Sequence, residues 1–320
     1  MALPTGDVIG ILGDNLRLRG SVLPLSKRNA TRWTRGLGLP RGGETVLYTG
    51  QMYQLIPYIE GLVRAESRLA GTPLARLTGL GRRANRLVNL SGFMARPSRS
   101  ERAEFDRVPR AVVQLLRDTG LEFGCLYEDD LYSGALAHDL GLDSLVATHA
   151  RRVQALLRKH GVRTVITIDP HTTHMLRSVY PDLLDDWDAD VRSYLEVLAE
   201  REGAAAAPLG REVVLHDSCV FARHEDVLAE PRTLLARAGV SVHEPVQAGK
   251  LTWCCGGPAE SLYPEKALEQ AQRRVAQLRA EGEECVTMCP LCLVNLSKAA
   301  GGELALRDIS ELLLESTAPR

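Results

Sequence analysis

Apolar positions along the chain alternate between short continuous runs and longer runs with helical spacing. The segment "RVQALLRKHGVRTVITIDPHTTHML", beginning at Arg152, reads as an amphipathic helix, a short turn, a hydrophobic strand, and a proline at a strand-to-helix junction. "RVAQLRAEGEECVTMCPLCLVNL", beginning at Arg274, repeats that order. A second echo joins "VPRAVVQLLRDTG" (108–120) to "EPRTLLARAG" (230–239), where Pro109-Arg110 and Pro231-Arg232 are each expected to open a helix. A third joins the strand "ETVLYTGQ" (44–51) to "REVVLHDSC" (211–219). The three echoes come in one order, so the pattern predicts a duplicated α/β unit. Strands alternating with helices imply mainly parallel sheets with helices packed on them.

This assigns the chain to the α/β class with two tandem pseudo-repeats. Residues 1–40 form an amino-terminal helix and a basic arm, and 41–185 the first repeat. Residues 186–207 form a helix and an alanine-rich linker, and 208–320 the second repeat. The first repeat carries an arginine-rich helical insertion, 60–102. It reads as a solvated excursion capping the sheet, a partner-docking element, or an interfacial helix with Leu74, Leu77, Leu80, Leu87 and Leu90 on its apolar face.

Composition changes little in this picture. With 320 residues the chain is long enough for two cores, and 45% hydrophobic and 25% charged residues are ordinary for a soluble protein. A formal net charge of -1 gives no electrostatic reason to expect nucleic acid. No apolar run approaches the roughly 20 residues of a membrane-spanning helix. No basic, cleavable leader opens the sequence, so a cytoplasmic location is expected.

Cysteine changes it more. Of seven cysteines, six fall in the last third: Cys219, Cys254, Cys255, Cys285, Cys289 and Cys292. A secreted disulfide framework would spread them over a short chain, whereas clustered thiols in a reducing compartment ligate metal or do redox chemistry. Cys219, the adjacent pair Cys254-Cys255, and the "CPLC" turn at 289–292 sit at three strand-to-helix junctions. Such junctions meet in one crevice in an open α/β sheet. The helix opening at Cys289 would aim unpaired amides there and favour thiolate. Gly256 and Gly257 would let backbone approach sulfur. Five thiols, two of them adjacent, fit an iron–sulfur cluster, while structural zinc prefers two separated pairs and buried inert cysteines are the bland alternative. Cys285 reads as an inert core thiol.

The series "HDSC…EPRTLL…WCCGGP…CPLC" resembles the cysteine-rich CCG domain found in the B- and D-type components of heterodisulfide reductase and in their relatives. These include iron–sulfur subunits of glycolate and lactate oxidation. The resemblance covers nearly the whole chain, because such proteins usually carry the domain twice. It implies one [4Fe-4S] cluster, cubane or noncubane, held by Cys219, Cys254, Cys255, Cys289 and Cys292, in a redox subunit for thiol–disulfide chemistry or electron transfer. In the first repeat the five equivalent positions hold Gln51, Cys125, Leu126, Asp169 and Thr172, so a fold without a cluster is expected there. A mixed metal site from Asp169, His171 and His174 is a minor alternative.

His216 is the candidate catalytic residue, as a proton donor; a hydrogen bond to cluster sulfur and a structural strand-end histidine are its milder readings. Arg223 and His224 read as surface residues, and Glu260 as a residue lining the cluster mouth. "GLGLPRGG" lacks a preceding strand, so bound NAD or flavin is not expected. The ferredoxin domain that precedes many relatives is absent from this sequence, which implies a separate ferredoxin-like or flavoprotein subunit docking on the arm. The other implied partner is a thiol or disulfide small molecule or carrier protein, with membrane contact only through a partner. The rival functions are an electron-relay subunit in lactate- or glycolate-type oxidation and a zinc-stabilised scaffold without enzymatic activity.

Overall fold

The strand sequences carry apolar residues on both faces, and the fold covers both. In the computed structural model, which describes residues 5–69, 97–201, 207–260 and 262–317, two four-stranded sheets form the frame. The first contains β1 (Thr45–Tyr48), β2 (Gly124–Cys125), β3 (Thr164–Thr167) and β4 (Asp190–Ser193), in the order β2-β1-β3-β4. The second contains β5 (Arg211–His216), β6 (Val240–His243), β7 (Glu284–Thr287) and β8 (Ala305–Asp308), in the order β6-β5-β7-β8. Every pairing is parallel. In each sheet the first strand of the unit lies between the second and third, so the sequence echoes have matching positions in space. Val46, Leu47 and Tyr48 on β1, and Val213, Val214 and Leu215 on β5, are all buried, as strands covered on both sides require.

The two units share one apolar interior. Leu47 and Ile166 of the first sheet belong to the same buried cluster as Val213, Leu215 and Val286 of the second. The helix Arg99–Asp118 packs against the helix Ile309–Thr317 across this boundary. Tyr53 donates a 2.5 Å hydrogen bond to Asp308 Oδ2, joining elements 255 positions apart.

Two local expectations change. Pro109 does not open a helix: it lies inside Arg99–Asp118, which starts ten residues earlier at a capping box of Ser98 and Glu101. The cap satisfies the first amides, and the apolar face of Val108, Val112, Val113 and Leu116 holds the helix through the one backbone hydrogen bond that proline lacks. Pro231 does sit in the first turn of its helix, Ala229–Arg237. The stretch 186–207 supplies β4 to the first sheet before its helix, Tyr194–Glu200. Most of insertion 60–102, including its leucine face, lies outside the described residues; residues 60–69 extend the helix Met52–Leu69 and 99–102 begin the next.

The arm is bound to its own first unit. Arg110 donates to the carbonyls of Trp33 (2.7 Å) and Arg35 (2.9 Å), and Arg32 pairs with Asp106 at 2.9 Å. Trp33 is buried in the shared interior, a contribution on the order of 4 kcal/mol for an aromatic of its size.

Candidate functional site

Three backbone segments bring the five thiols together. β5 ends at His216, and Asp217 and Ser218 lead directly into a helical turn that starts at Cys219. Asp217 holds this corner, taking two 2.9 Å hydrogen bonds from Arg232 and a 2.7 Å bond from the Gly249 amide. Arg232 is the arginine of the "EPRTLL" motif, so that motif anchors the loop ahead of Cys254. The loop is pinned again by Arg223, which donates to the carbonyls of Lys250 (3.0 Å) and Thr252. Arg223 is exposed, as its polarity suggested, but its guanidinium has a positioning job that no local pattern announces.

After Cys254-Cys255 the chain turns at Gly256, whose φ is +81°. A Cβ there would stand 2.6 Å from the Ala267 carbonyl oxygen, so only glycine fits. The Gly256 amide donates to Cys254 Sγ at 3.3 Å. Asn295, with its amide oriented to suit both neighbours, accepts from the Gly257 amide (3.1 Å) and donates to Glu260 (2.9 Å). Glu260 also accepts from Lys298 at 2.9 Å, so it ties the glycine turn to the helix Pro290–Ala300. Cys289 occupies the N-cap of that helix, and Pro290 its first position.

The thiols lie close enough to perturb one another: Cys292 donates to Cys255 at 3.2 Å, Cys289 shares their buried cluster, and Cys219 and Cys254 shift each other's ionisation. Charge is unevenly shared. Cys254 is driven below the usual thiol range, first by the Cys219 hydrogen bond, then by Cys255 and by the Gly256 amide. Cys289 is also driven down: burial opposes its charge, but the neighbouring Cys292 and His171 outweigh it. Cys219, Cys255 and Cys292 are pushed up, Cys219 and Cys255 foremost by the hydrogen bond to Cys254, and Cys292 by the one to Cys255. A cation entering the cage would displace thiol protons.

His216 lies against this cage: a ring nitrogen and the Sγ atoms of Cys255 and Cys292 are within 4.8 Å of one another. Arg274, fully buried, donates from Nε to His216 Nδ1 at 3.1 Å. The Nδ1 lone pair is thereby occupied, so the ring proton sits on Nε2, which is buried without a protein partner among the described residues. Burial, then the charge of Arg274, lowers the His216 pKa to about 3, so the ring is neutral. A neutral ring with its proton on Nε2 is a hydrogen-bond donor and not a metal ligand. That orphaned donor beside a thiolate-rich cage fits an acceptor-bearing inorganic group such as a cluster with sulfide.

Cys285 is fully buried on β7, in the same cluster as Val214, Leu278, Cys255, Cys289 and Cys292, and burial raises its pKa to about 12. In the first unit, Cys125 and Leu126 are core residues, and Gln51 donates to the Asp130 carbonyl at 2.6 Å. Asp169 accepts from the Thr172 amide at 2.9 Å, capping a short helix. Of the other alternative metal ligands of that unit, His171 is buried and His174 meets Glu225 at 2.7 Å.

Residues 213–297 match the family model of the cysteine-rich CCG domain. The chain is 32% identical over 228 residues to an EtfAB:quinone oxidoreductase of Syntrophomonas wolfei, covering 65% of this chain and 32% of that protein. It is 28% identical to a Bacillus subtilis protein named probable iron-sulfur-binding oxidoreductase FadF, covering 66% of this chain and 31% of that one. It is 27% identical to one component of the fumarate reductase (CoM/CoB) of Methanothermobacter marburgensis, covering 64% and 42%. The chain thus spans about a third of the first two relatives' length. Among the described residues no helix is long and apolar enough to cross a membrane.

Proposed function

We propose that this chain, whose second unit carries a CCG-type cysteine-rich domain, is an electron-transfer subunit of an iron–sulfur oxidoreductase, with Cys219, Cys254, Cys255, Cys289 and Cys292 holding the cluster. The observation that carries this reading is the 3.2 Å contact of Cys255 with Cys292, in one buried cluster with Cys289, with the orphaned Nε2 of His216 beside it. When bound, a cluster supplies one-electron storage, and five thiolates instead of the usual four suit a noncubane [4Fe-4S] form of the kind that works on a disulfide. The chain's own residues do the rest. Arg274 fixes the His216 tautomer, while the Gly256 amide donates to the Cys254 sulfur. His216 acts as an N–H donor that tunes the site; its depressed pKa argues against the proton-donor role.

Partner access is from the side of Cys219 and Cys254, which are less buried than the other three ligands. Val246, Leu251, Tyr263 and Leu268 are exposed large hydrophobics on the segments flanking Cys254-Cys255, an apolar approach for an electron-transfer partner. A thiolate set of this kind requires reducing surroundings, in keeping with a cytoplasmic site. The second reading is a relay without disulfide chemistry, favoured by the relative whose name joins EtfAB to quinone.

Anaerobic purification followed by iron, sulfide and zinc analysis tests the main reading. Iron and sulfide with a brown chromophore are expected; stoichiometric zinc without iron would make the domain a scaffold. A thiol- or disulfide-dependent change in the oxidised cluster's electron paramagnetic resonance then supports disulfide chemistry, and indifference supports the relay.

A further inference from the structure

The first unit has a crevice of its own at the strand end where its sister gathers thiols. In the order β2-β1-β3-β4 the chain leaves β1 towards β2 on one side and β3 on the other. The carboxyl end of β1 is therefore the switch point at which parallel α/β sheets take ligands. Gln51 follows the end of β1 by three residues, as Cys219 follows the end of β5. It is held in the left-handed region, with a φ of +59°, and its amide donates to the Asp130 carbonyl. Gln51 lines a cavity of about 550 Å³ between residues 19–30 of the arm and the helix Asp143–Lys159. That volume is in the range of small-molecule sites.

The walls of this cavity carry four cations, Arg19, Lys27, Arg152 and Lys159, against two carboxylates, Glu128 and Asp129. Both carboxylates are already matched: Glu128 pairs with Arg41 at 2.8 Å, and Asp129 with His160 at 2.8 Å and Lys159 at 3.2 Å. Among the described residues, Lys27 and Arg152 meet no carboxylate. They come from two elements. Lys27 opens the short helix Lys27–Ala30, and Arg152 reaches the arm so closely that a Cβ at Gly20 would stand 3.3 Å from its guanidinium nitrogen. Leu25, Leu131 and Leu156 give the cavity an apolar side continuous with the first unit's core.

We propose that this cavity binds a small organic dianion, a phosphomonoester or a dicarboxylate, with Lys27 and Arg152 on its charged head and the three leucines against its apolar body. Arginine offers a planar fork of donors and lysine a compact point charge, and a dianion matches the two cations that no carboxylate meets. The unit without the cysteine set thus has a ligand of its own, and the inference does not rest on the cluster reading.

The test is isothermal titration calorimetry of the full chain, purified anaerobically, with phenyl phosphate, phenylsuccinate and inorganic phosphate as probes. One aromatic dianion should bind at one site per chain, more tightly than inorganic phosphate; which of the two binds better identifies the head group. Arg152→Gln and Lys27→Gln should each weaken that binding about tenfold or more, and Arg152→Lys less. Arg163→Gln, which removes an exposed cation of the same unit outside the cavity, should leave it unchanged. Circular dichroism matching wild type certifies each variant as folded, and if one cavity variant fails, the other carries the test. Lack of binding by both aromatic dianions at millimolar concentration overturns the proposal, as does binding that the folded cavity variants leave untouched. Inorganic phosphate binding as tightly as the better aromatic probe also overturns it, marking an adventitious ion only.

Discussion

Replacing Arg274 by methionine separates the scaffold of the site from its ligands. The guanidinium is fully buried and donates to His216 Nδ1 (3.1 Å), the Gln247 carbonyl (2.9 Å) and Gln277 Oε1 (2.8 Å), with a longer 3.4 Å contact to Thr252 Oγ1. Methionine fills much of the stem's volume but donates to none of them. Stranding the buried His216 nitrogen costs about 1–3 kcal/mol, and the other two bonds add roughly 0.5–1.5 each. Part of this is offset because a buried cation no longer has to be desolvated, which leaves a net loss of about 3 kcal/mol. Two units sharing a core make a single unfolding transition an unsafe measure, so the assay is native-state hydrogen exchange at the β5 and β7 amides. A loss of about 3 kcal/mol accelerates exchange there on the order of 100-fold if those amides exchange by opening of the second unit. The β1 and β3 amides serve as an internal reference. Acceleration below about threefold at Val214, Leu215 and Val286 would refute the claim that Arg274 is a structural donor.

Three further outcomes follow from the same structure. Cys255→Ser and Cys289→Ser should each abolish the brown chromophore, whereas Cys285→Ala should keep it, losing only about 1 kcal/mol of packing; iron content and visible absorption check both. His149 is buried with Nε2 2.6 Å from the Tyr132 carbonyl, and burial lowers its pKa from 6.5 to about 4. The unfolded chain binds that proton more readily, so the stability His149 contributes is complete above about pH 6.5 and falls as pH drops towards 4, by up to ~3 kcal/mol. The difference between wild-type and His149→Gln native-state hydrogen exchange of the β1 and β3 amides over that range isolates the effect from buried Asp130, whose raised pKa of about 7 acts with the opposite sign; parallel profiles would reject it. Tyr53→Phe removes the bond to Asp308 that ties the units together and should cost about 1.5–3 kcal/mol, read as faster native-state hydrogen exchange, leaving iron content unchanged.

The candidate site was legible to the extent that the cysteines proposed as ligands stand out by their spacing. Cys219, Cys254-Cys255 and the 289–292 turn each follow a strand, and a parallel sheet delivers the ends of its strands to one edge. Arg232 was legible as part of a motif, though not as the clamp on Asp217. Arg223 and Arg274 were not legible as site residues. Each acts through a contact distant in sequence, and an arginine on a helix looks the same whether its tip meets water or a loop.

The repeated α/β pattern, the two-sided burial of the strands and the gathering of thiols in the second unit were all written in the order of residues. These features depend on local periodicity and on residue chemistry that carries its own spacing. Folding in three dimensions was needed to show that β4 completes the first sheet and that Pro109 is swallowed within a helix. The same holds for the bond of Tyr53 to Asp308, because that contact exists only once two units with a common interior have closed on each other. Spacing can say which atoms a strand end delivers; what stands opposite them is fixed by the surface that packs against it.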